Sequence, residues 1–231
     1  EALLGVSITG WMNQPDILFN PKILEKGAKI VKEVNKEVAA IIGINPAART
    51  TCVKPSGNAS VLLQTASGIH AEHSPTYIRN VQMNKESEIT QAIIKSNPYM
   101  VEESVWSASG TDVVVSFPII PHKGSMMKDE LLGVTHLDKV KLAQKHWVVA
   151  GTNEELCADK GIRQNVSNTI LVDDWAAVEQ YVFKNRHSFS GISFLSMSGD
   201  KDYNQAPNTA VINAKQMVKE YDEAAIFASG L

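Results

Sequence analysis

Cysteine is scarce in this sequence. The 231 residues include only Cys52 and Cys157, too few and too far apart for a disulfide framework or a zinc finger. That scarcity predicts a reducing, cytoplasmic setting. Positive charge is not in excess either: 22 Lys and Arg against 25 Asp and Glu leave a formal charge of -3, which argues against a surface built to coat nucleic acid. No run approaches the roughly 18 apolar residues of a membrane span, and no basic-then-apolar signal opens the chain. A soluble protein is expected. Gly-x-x-x-x-Gly-Lys-Ser/Thr, the Walker phosphate loop, is missing. Repeats, linkers and low-complexity segments are missing as well, so residues 1–231 are expected to form one domain. What is present is a 44% apolar and 20% charged composition, enough to bury a core.

Strand-like and helix-like stretches alternate along the chain, which implies an α/β fold. Gly5 to Gly10 reads as a strand. Asn20 then caps a helix that opens on Pro21, repeats Ile23, Leu24, Gly27, Ile30, Val31, Val34, Val38, Ile41 and Ile42 at three-and-four spacing, and closes at Gly43. Thr50 to Lys54 predicts a strand, Asn58 to Thr65 a helix, Tyr77 to Met83 a strand and Ser87 to Lys95 a helix. Val113 to Phe117 is a buried-type strand expected to stop at Pro118. Leu137 to Val149 predicts a helix, Asn165 to Val172 a strand, and Asp173 or Asp174 caps a helix carrying Trp175, Val178, Tyr181 and Val182. Trp175, Tyr181, Phe183 and Phe189 fall at core spacing. Ile192 to Leu195 is the last clear strand, and Ser198 to Pro207 is expected to be an exposed loop. Both ends, Leu3 to Ile8 and Ala224 to Leu231, are apolar where a finished domain is usually polar, and they read as cut.

Cys52-Val53-Lys54-Pro55-Ser56-Gly57-Asn58-Ala59-Ser60 is the stretch richest in chemistry. A strand entering a helix through small residues aims free backbone N–H groups, a helix dipole and hydroxyls at one point, the arrangement with which folds hold phosphate. Ser56, Asn58 and Ser60 can donate from their side chains, Gly57 lets an anion approach, and Lys54 can add charge. A plain helix start has the same composition. His70, Glu72 and His73 lie in a turn between Gly68 and Pro75 with no third or fourth ligand in view, so no metal site is expected there. Cys52 reads as a small buried hydrophobe.

Thr50 to Ser60, followed by Ala66-Ser67-Gly68-Ile69-His70, resembles the phosphate-binding segment of ribonucleotide reductase catalytic chains, above all the adenosylcobalamin-dependent (class II) ribonucleoside-triphosphate reductases. Six further stretches match in the family's order. These are Gly5 to Gly10, Tyr77-Ile78-Arg79, Val115 to Pro118, Gln164 to Ile170, Gly191 to Leu195, and Gln205-Ala206-Pro207. The resemblance implies the second half of a ten-stranded α/β barrel. It places the substrate phosphates on Pro55, Ser56, Gly57, Asn58, Ala59 and Ser60. It also implies adenosylcobalamin as radical source, a ribonucleoside di- or triphosphate as substrate, a thioredoxin-like dithiol as reductant, and 2'-deoxyribonucleotides as products for DNA synthesis.

One family element is missing. The radical cysteine and its amide and carboxylate neighbours, an Asn-x-Cys-x-Glu run in the family, do not occur here, and Cys157 follows Glu154-Glu155-Leu156 instead. No catalytic residue is therefore expected in this chain. The N-terminal half of the reductase would supply those groups in cis or as a separate subunit. The alternative is a non-catalytic nucleotide- or phosphate-binding module derived from the same barrel.

Overall fold

The computed structural model describes residues 1–197 and 205–211. These fall into two compact units, residues 1–72 with 122–197, and residues 73–121 with 205–211.

The first unit is built on parallel strands joined by helices. Strand β1 (Leu3–Ser7) pairs with β2 (Arg49–Cys52) in parallel, Val6 beside Thr51 and Ser7 beside Cys52. Strand β6 (Thr169–Val172) pairs in parallel with β7 (Ser193–Ser196). Between the two pairs Val53 donates to Asn165 at 3.1 Å and accepts from Ser167 at 2.9 Å, a parallel bridge that gives the order β1-β2-β6-β7. No sheet closes on itself among the described residues, and this array holds four strands.

Helix formation follows the expected chemistry. In α2 (Pro21–Ile42), Asn20 Oδ1 accepts from the amides of Lys22 and Ile23, and Gly43 ends the helix in the left-handed conformation at φ 73°. Asp174 caps α6 (Trp175–Asn185) through the Ala177 amide. Helix α5 (Gly133–Ala143) starts one turn earlier than expected and continues as a π-helical stretch over Gln144–Val149. That stretch lets Trp147 reach β2: its indole N–H donates to the Cys52 carbonyl at 3.0 Å, and Thr51 Oγ1 donates back to the Trp147 carbonyl at 2.6 Å. The short helices α1 (Pro15–Leu18) and α3 (Gly57–Leu62) complete the unit. Its core gathers Trp11, Met12, Leu24, Ile69, Leu137 and Ile170.

The second unit is antiparallel. Its sheet has the order β4-β5-β3-β8, from β3 (Tyr77–Asn84), β4 (Val101–Glu103), β5 (Asp112–Ile119) and β8 (Asn208–Ala210). Helix α4 (Glu88–Ser96), capped by Ser87, lies in the β3–β4 connection. Strand β5 runs through Pro118 instead of stopping there. Pro118 pairs with Ile78, while β4 reaches only to Val115, so its absent N–H falls where β5 has no second neighbour.

One apolar face stays largely uncovered, and one core assignment needs correction. Along α2, Leu24, Ala28 and Ala39 are buried, but Ile23, Ile30, Val34, Val38, Ile41 and Ile42 are exposed. The apolar arc is wider than the strip that meets the unit's core, which lies about a quarter turn away. On α6 the buried position is Val178, and Trp175 and Phe183 are exposed. Tyr181 and Phe189 do pack on the core, at its margin. The expected loop from Ser198 to Pro207 lies outside the described residues up to 204, and so does the apolar stretch from Ala224 to Leu231.

Close packing sets a sharp constraint behind β2. A methyl on Gly151 would stand 1.9 Å from Thr51 Oγ1 and 2.8 Å from Thr51 Cβ. The Gly151→Ala variant is expected to lose about 2–3 kcal/mol of stability, read as a lower urea midpoint; an unchanged midpoint would show that the β2–Gly151 contact yields freely.

Candidate functional site: the turn between β2 and α3

The carboxyl ends of parallel strands are where α/β folds place ligands, and three loops converge there in the first unit. Pro55 and Ser56 lead from β2 into α3, with Ser56 itself left-handed at φ 53°. Ser56 does not cap the helix with its side chain. Its hydroxyl faces Thr9 Oγ1, and both oxygens lie within reach of the Gly68 amide, at 3.1 and 3.0 Å. Thr9 donates its own proton to the Ala66 carbonyl at 3.0 Å, so the proton between the two hydroxyls comes from Ser56. Ser60 is buried; its hydroxyl donates to the Gly57 carbonyl at 3.1 Å and its amide to the Ser56 carbonyl at 2.8 Å.

These bonds decide which groups can meet an anion. The hydroxyls of Ser56 and Ser60 spend their protons within the loop. Ser60 is the first residue of α3 whose amide bonds inside the helix, which leaves the amides of Gly57, Asn58 and Ala59 as first-turn donors without a partner among the described residues. A Cβ built on Gly57 meets no atom within 4 Å, so the approach is open. Lys54 is exposed at the same turn, and its backbone amide is held by Ser7 Oγ at 2.8 Å.

Glycine is required where the loops cross. Gly68 has φ 52°, and a side chain there would strike the Lys54 carbonyl at 2.4 Å. Gly10 has φ 72° and faces Thr65 Oγ1 at 2.1 Å from an added Cβ.

Beneath the turn, Asn13 is a buried hub that the sequence did not mark. Its Oδ1 accepts from the Ala66 amide at 2.6 Å and from the Thr65 hydroxyl, and its Nδ2 donates to Glu72 Oε1 at 2.8 Å and Ser125 Oγ at 2.9 Å. Glu72, taken in sequence as part of a His-x-Glu-His cluster, is thus a buried partner of Asn13. Among the described residues no three His, Cys, Asp or Glu side chains gather as a metal site.

His70 joins two of the loops. Its Nδ1 faces the Ser67 carbonyl at 3.0 Å and its Nε2 accepts from the Thr169 amide at 3.0 Å, which makes it a neutral ring protonated on Nδ1. Burial lowers its pKa, partly offset by the Ser67 carbonyl. His136, unmarked by sequence, stands edge-on to it with ring centroids 5.8 Å apart and donates from Nε2 to the Ile69 carbonyl at 3.0 Å. Burial, with the charge of His70 second, pushes the His136 imidazole down to about 3. Cys52 is buried, and that burial pushes its thiol pKa up, opposed by Lys54.

No family model matches the chain. Curated proteins do. A probable adenosylcobalamin-dependent ribonucleoside-triphosphate reductase of Dictyostelium discoideum is 29% identical over 121 residues, 52% of this chain and 16% of that protein. The adenosylcobalamin-dependent ribonucleoside-triphosphate reductase of Euglena gracilis is 24% identical over 204 residues, 87% of this chain and 25% of that protein. The enzyme of the same name from Levilactobacillus brevis is 23% identical over 203 residues, 86% of this chain and 26% of that protein. The chain therefore spans about a quarter or less of the length of these relatives. In fold it is similar to the crystal structure of a B12-dependent (class II) ribonucleotide reductase, with a TM-score of 0.70 at 17% identity, over 91% of this chain and 28% of that one. The likeness read from the motifs is thus met in sequence by these reductases and in fold by that structure.

The depressed His136 has a consequence for stability. Its folded pKa of about 3 lies below the ordinary unfolded value near 6.5, so the unfolded chain binds the extra proton. Stability is whole above pH 6.5 and is lost as pH falls toward 3, at about 1.4 kcal/mol per pH unit. Urea titrations between pH 7 and 5 are expected to show this slope, and His136→Gln, which keeps a donor toward Ile69, is expected to flatten it. Equal slopes in the two proteins would remove His136 as the cause.

Proposed function

We propose that this chain is the C-terminal part of the catalytic chain of an adenosylcobalamin-dependent ribonucleotide reductase, a single domain over residues 1–231 that forms the second half of its ten-stranded α/β barrel. Four parallel strands in the order β1-β2-β6-β7 support the half-barrel reading. In this reading the enzyme converts ribonucleoside tri- or diphosphates to 2'-deoxyribonucleotides by thiyl-radical chemistry in the cytoplasm, with a thioredoxin-like dithiol as electron source. No described helix is long and apolar enough to cross a membrane.

The observation that carries the reading is the opening of α3. Among the described residues the amides of Gly57, Asn58 and Ala59 have no partner at the carboxyl end of a parallel strand, in a chain similar to these reductases over most of its length. Pro55 and Ser56 set the turn, Ser60 and Ser56 brace it, and the three amides with the helix dipole receive the substrate phosphates. Held at one end, the nucleotide's ribose is oriented toward the radical cysteine. That restriction of freedom is itself a large part of such a reaction's acceleration.

The radical cysteine, with its amide and carboxylate neighbours, belongs to a segment preceding this one, in cis or on a partner chain. Adenosylcobalamin supplies the radical when bound. The described residues gather no metal-ligand set, and none of them is assigned to hold the cofactor. A non-catalytic phosphate-binding module would carry the same turn but no Asn-x-Cys-x-Glu run anywhere in its gene product, so the full-length sequence and a reductase assay separate the two readings.

The phosphate assignment is tested with charge. Gly57 has open space around it, so Gly57→Asp is expected to fold while setting a carboxylate against the phosphates. In the full-length enzyme KM for the ribonucleotide should rise about tenfold or more, with kcat changed far less. Gly57→Ala should be close to wild type, and Ser60→Ala should change KM little because its hydroxyl faces inward. An unchanged KM in Gly57→Asp would refute the assignment.

A further inference from the structure

A second cleft lies in the first unit at the opposite ends of the strands. Its walls come from the π-helical end of α5, from the loop that precedes β6 and from the loop that precedes β7, and it encloses about 440 Å³. That volume is within the range of pockets for small organic ligands. Lys141, Lys145, Arg163 and His187 line it, and no carboxylate does. This concentration of basic groups is local, since the whole chain carries a formal charge of -3.

The cleft is braced from within. Gln144, itself buried, donates from Nε2 to the Gln164 carbonyl at 3.0 Å and to Ser190 Oγ at 3.3 Å, tying α5 to both loops. Ser190 also donates to the Gln164 carbonyl at 3.2 Å. Of the cations, Arg163 is paired with Glu154 at 2.8 Å, and Lys141 donates to the neutral Asn185 at 2.7 Å. Lys145 and His187 enter no ion pair among the described residues. Phe189, Ile162 and Val149 give the cleft an apolar side. By their spacing alone, Lys139, Lys141 and Lys145 would read as an ordinary solvated helix face. The fold sets two of them, Lys141 and Lys145, in the lining of one pocket with Arg163 and His187.

We propose that this cleft is a binding site for an organic phosphate, its apolar body against Phe189 and Ile162 and its phosphate on Lys141, Lys145 and His187. A π-helical turn makes such a placement intelligible. The inserted residue widens the helix at the point where Gln144 must face the loops while Lys145 faces the cleft, and turns of this kind concentrate at functional sites. The site is distinct from the Gly57–Ala59 amides, which follow β2, whereas Arg163 and Ser190 precede β6 and β7. It does not depend on the reductase reading.

The test is hydrogen exchange on the full-length protein titrated with AMP and, separately, with inorganic pyrophosphate. Peptides covering 141–149, 161–164 and 187–190 are expected to gain protection saturably with AMP. The Lys145→Glu/His187→Glu variant, altered at two exposed side chains, is expected to need about tenfold or more AMP for the same protection. Far-ultraviolet circular dichroism of the variant checks that it folds. Protection by pyrophosphate but not AMP would leave a phosphate site without the apolar subsite and overturn the organic-phosphate assignment. Equal protection by sodium sulfate at matched ionic strength would reduce the effect to screening and overturn the proposal. So would protection by poly-glutamate alone, which would assign the cleft to an acidic protein segment. Absence of any protection at millimolar AMP would overturn it outright.

Discussion

The side-chain amide of Asn13 is the contact on which the arrangement of the loops at the carboxyl ends depends. Both of its N–H donors and both lone pairs of its oxygen are used, toward Glu72, Ser125, Ala66 and Thr65. These partners come from two stretches distant in sequence, Thr65 to Glu72 and Ser125, and no other side chain of that size offers two donors and two acceptors in one plane. A buried polar network satisfied in this way specifies one geometry, because every alternative leaves a group unpaired at a cost of about 1–3 kcal/mol. The segment from Thr65 to Glu72 is therefore held on Asn13. Through the Gly68 amide, which meets both Thr9 and Ser56, that geometry is passed to the turn at Ser56.

The division of labour within the turn follows. Hydroxyls that could compete for an anion are consumed in bracing the backbone, and the backbone amides are left over. An amide fixed in a helix's first turn points along one direction and loses little freedom when it binds, whereas a serine hydroxyl must be ordered first. A turn whose side chains hold its shape and whose main chain faces outward is thus the more preorganised receptor. The left-handed Ser56 fits this picture. A non-glycine residue at φ 53° carries conformational strain of about 1 kcal/mol or more, and the bonds from Gly68 and to Thr9 keep it in place.

How much of this was legible in the sequence depended on distance along the chain. The ends of α2 were fully legible, since Asn20, Pro21 and Gly43 act on their own neighbours. So were the cap of α6 and the strand–turn–helix at Cys52 to Ser60. Contacts between remote residues were not. Asn13 sits between Met12 and Gln14 with nothing to mark it, and His136 falls just before the helix expected from Leu137, in the turn by which α5 starts early. The inward turn of Ser60 depends on its helix position, three residues after Gly57, yet composition alone reads it as a donor like Ser56. The exposure of Ile30, Val34 and Val38 was hidden for the opposite reason. Periodicity identifies an apolar face but carries no information about which part of it another surface covers.

Those exposed faces bear on the half-barrel reading. Among the described residues β1 and β7 end the parallel array with one paired edge each, and Leu3, Leu4, Phe194 and Leu195 beside those edges are exposed. Unpaired edges flanked by large apolar side chains favour the addition of further strands, and each large apolar side chain covered contributes roughly 1.5–3 kcal/mol. In an array of parallel strands the added strands must lie outside both edges, which is the condition for curling the sheet toward closure rather than stacking a second layer on it. The matched stretches make up only 16 to 26% of the relatives' own length. In the proposed half-barrel reading, a preceding half that supplies the radical cysteine would also supply the strands that β1 and β7 lack, so that completing the barrel and completing the active site would be one structural event.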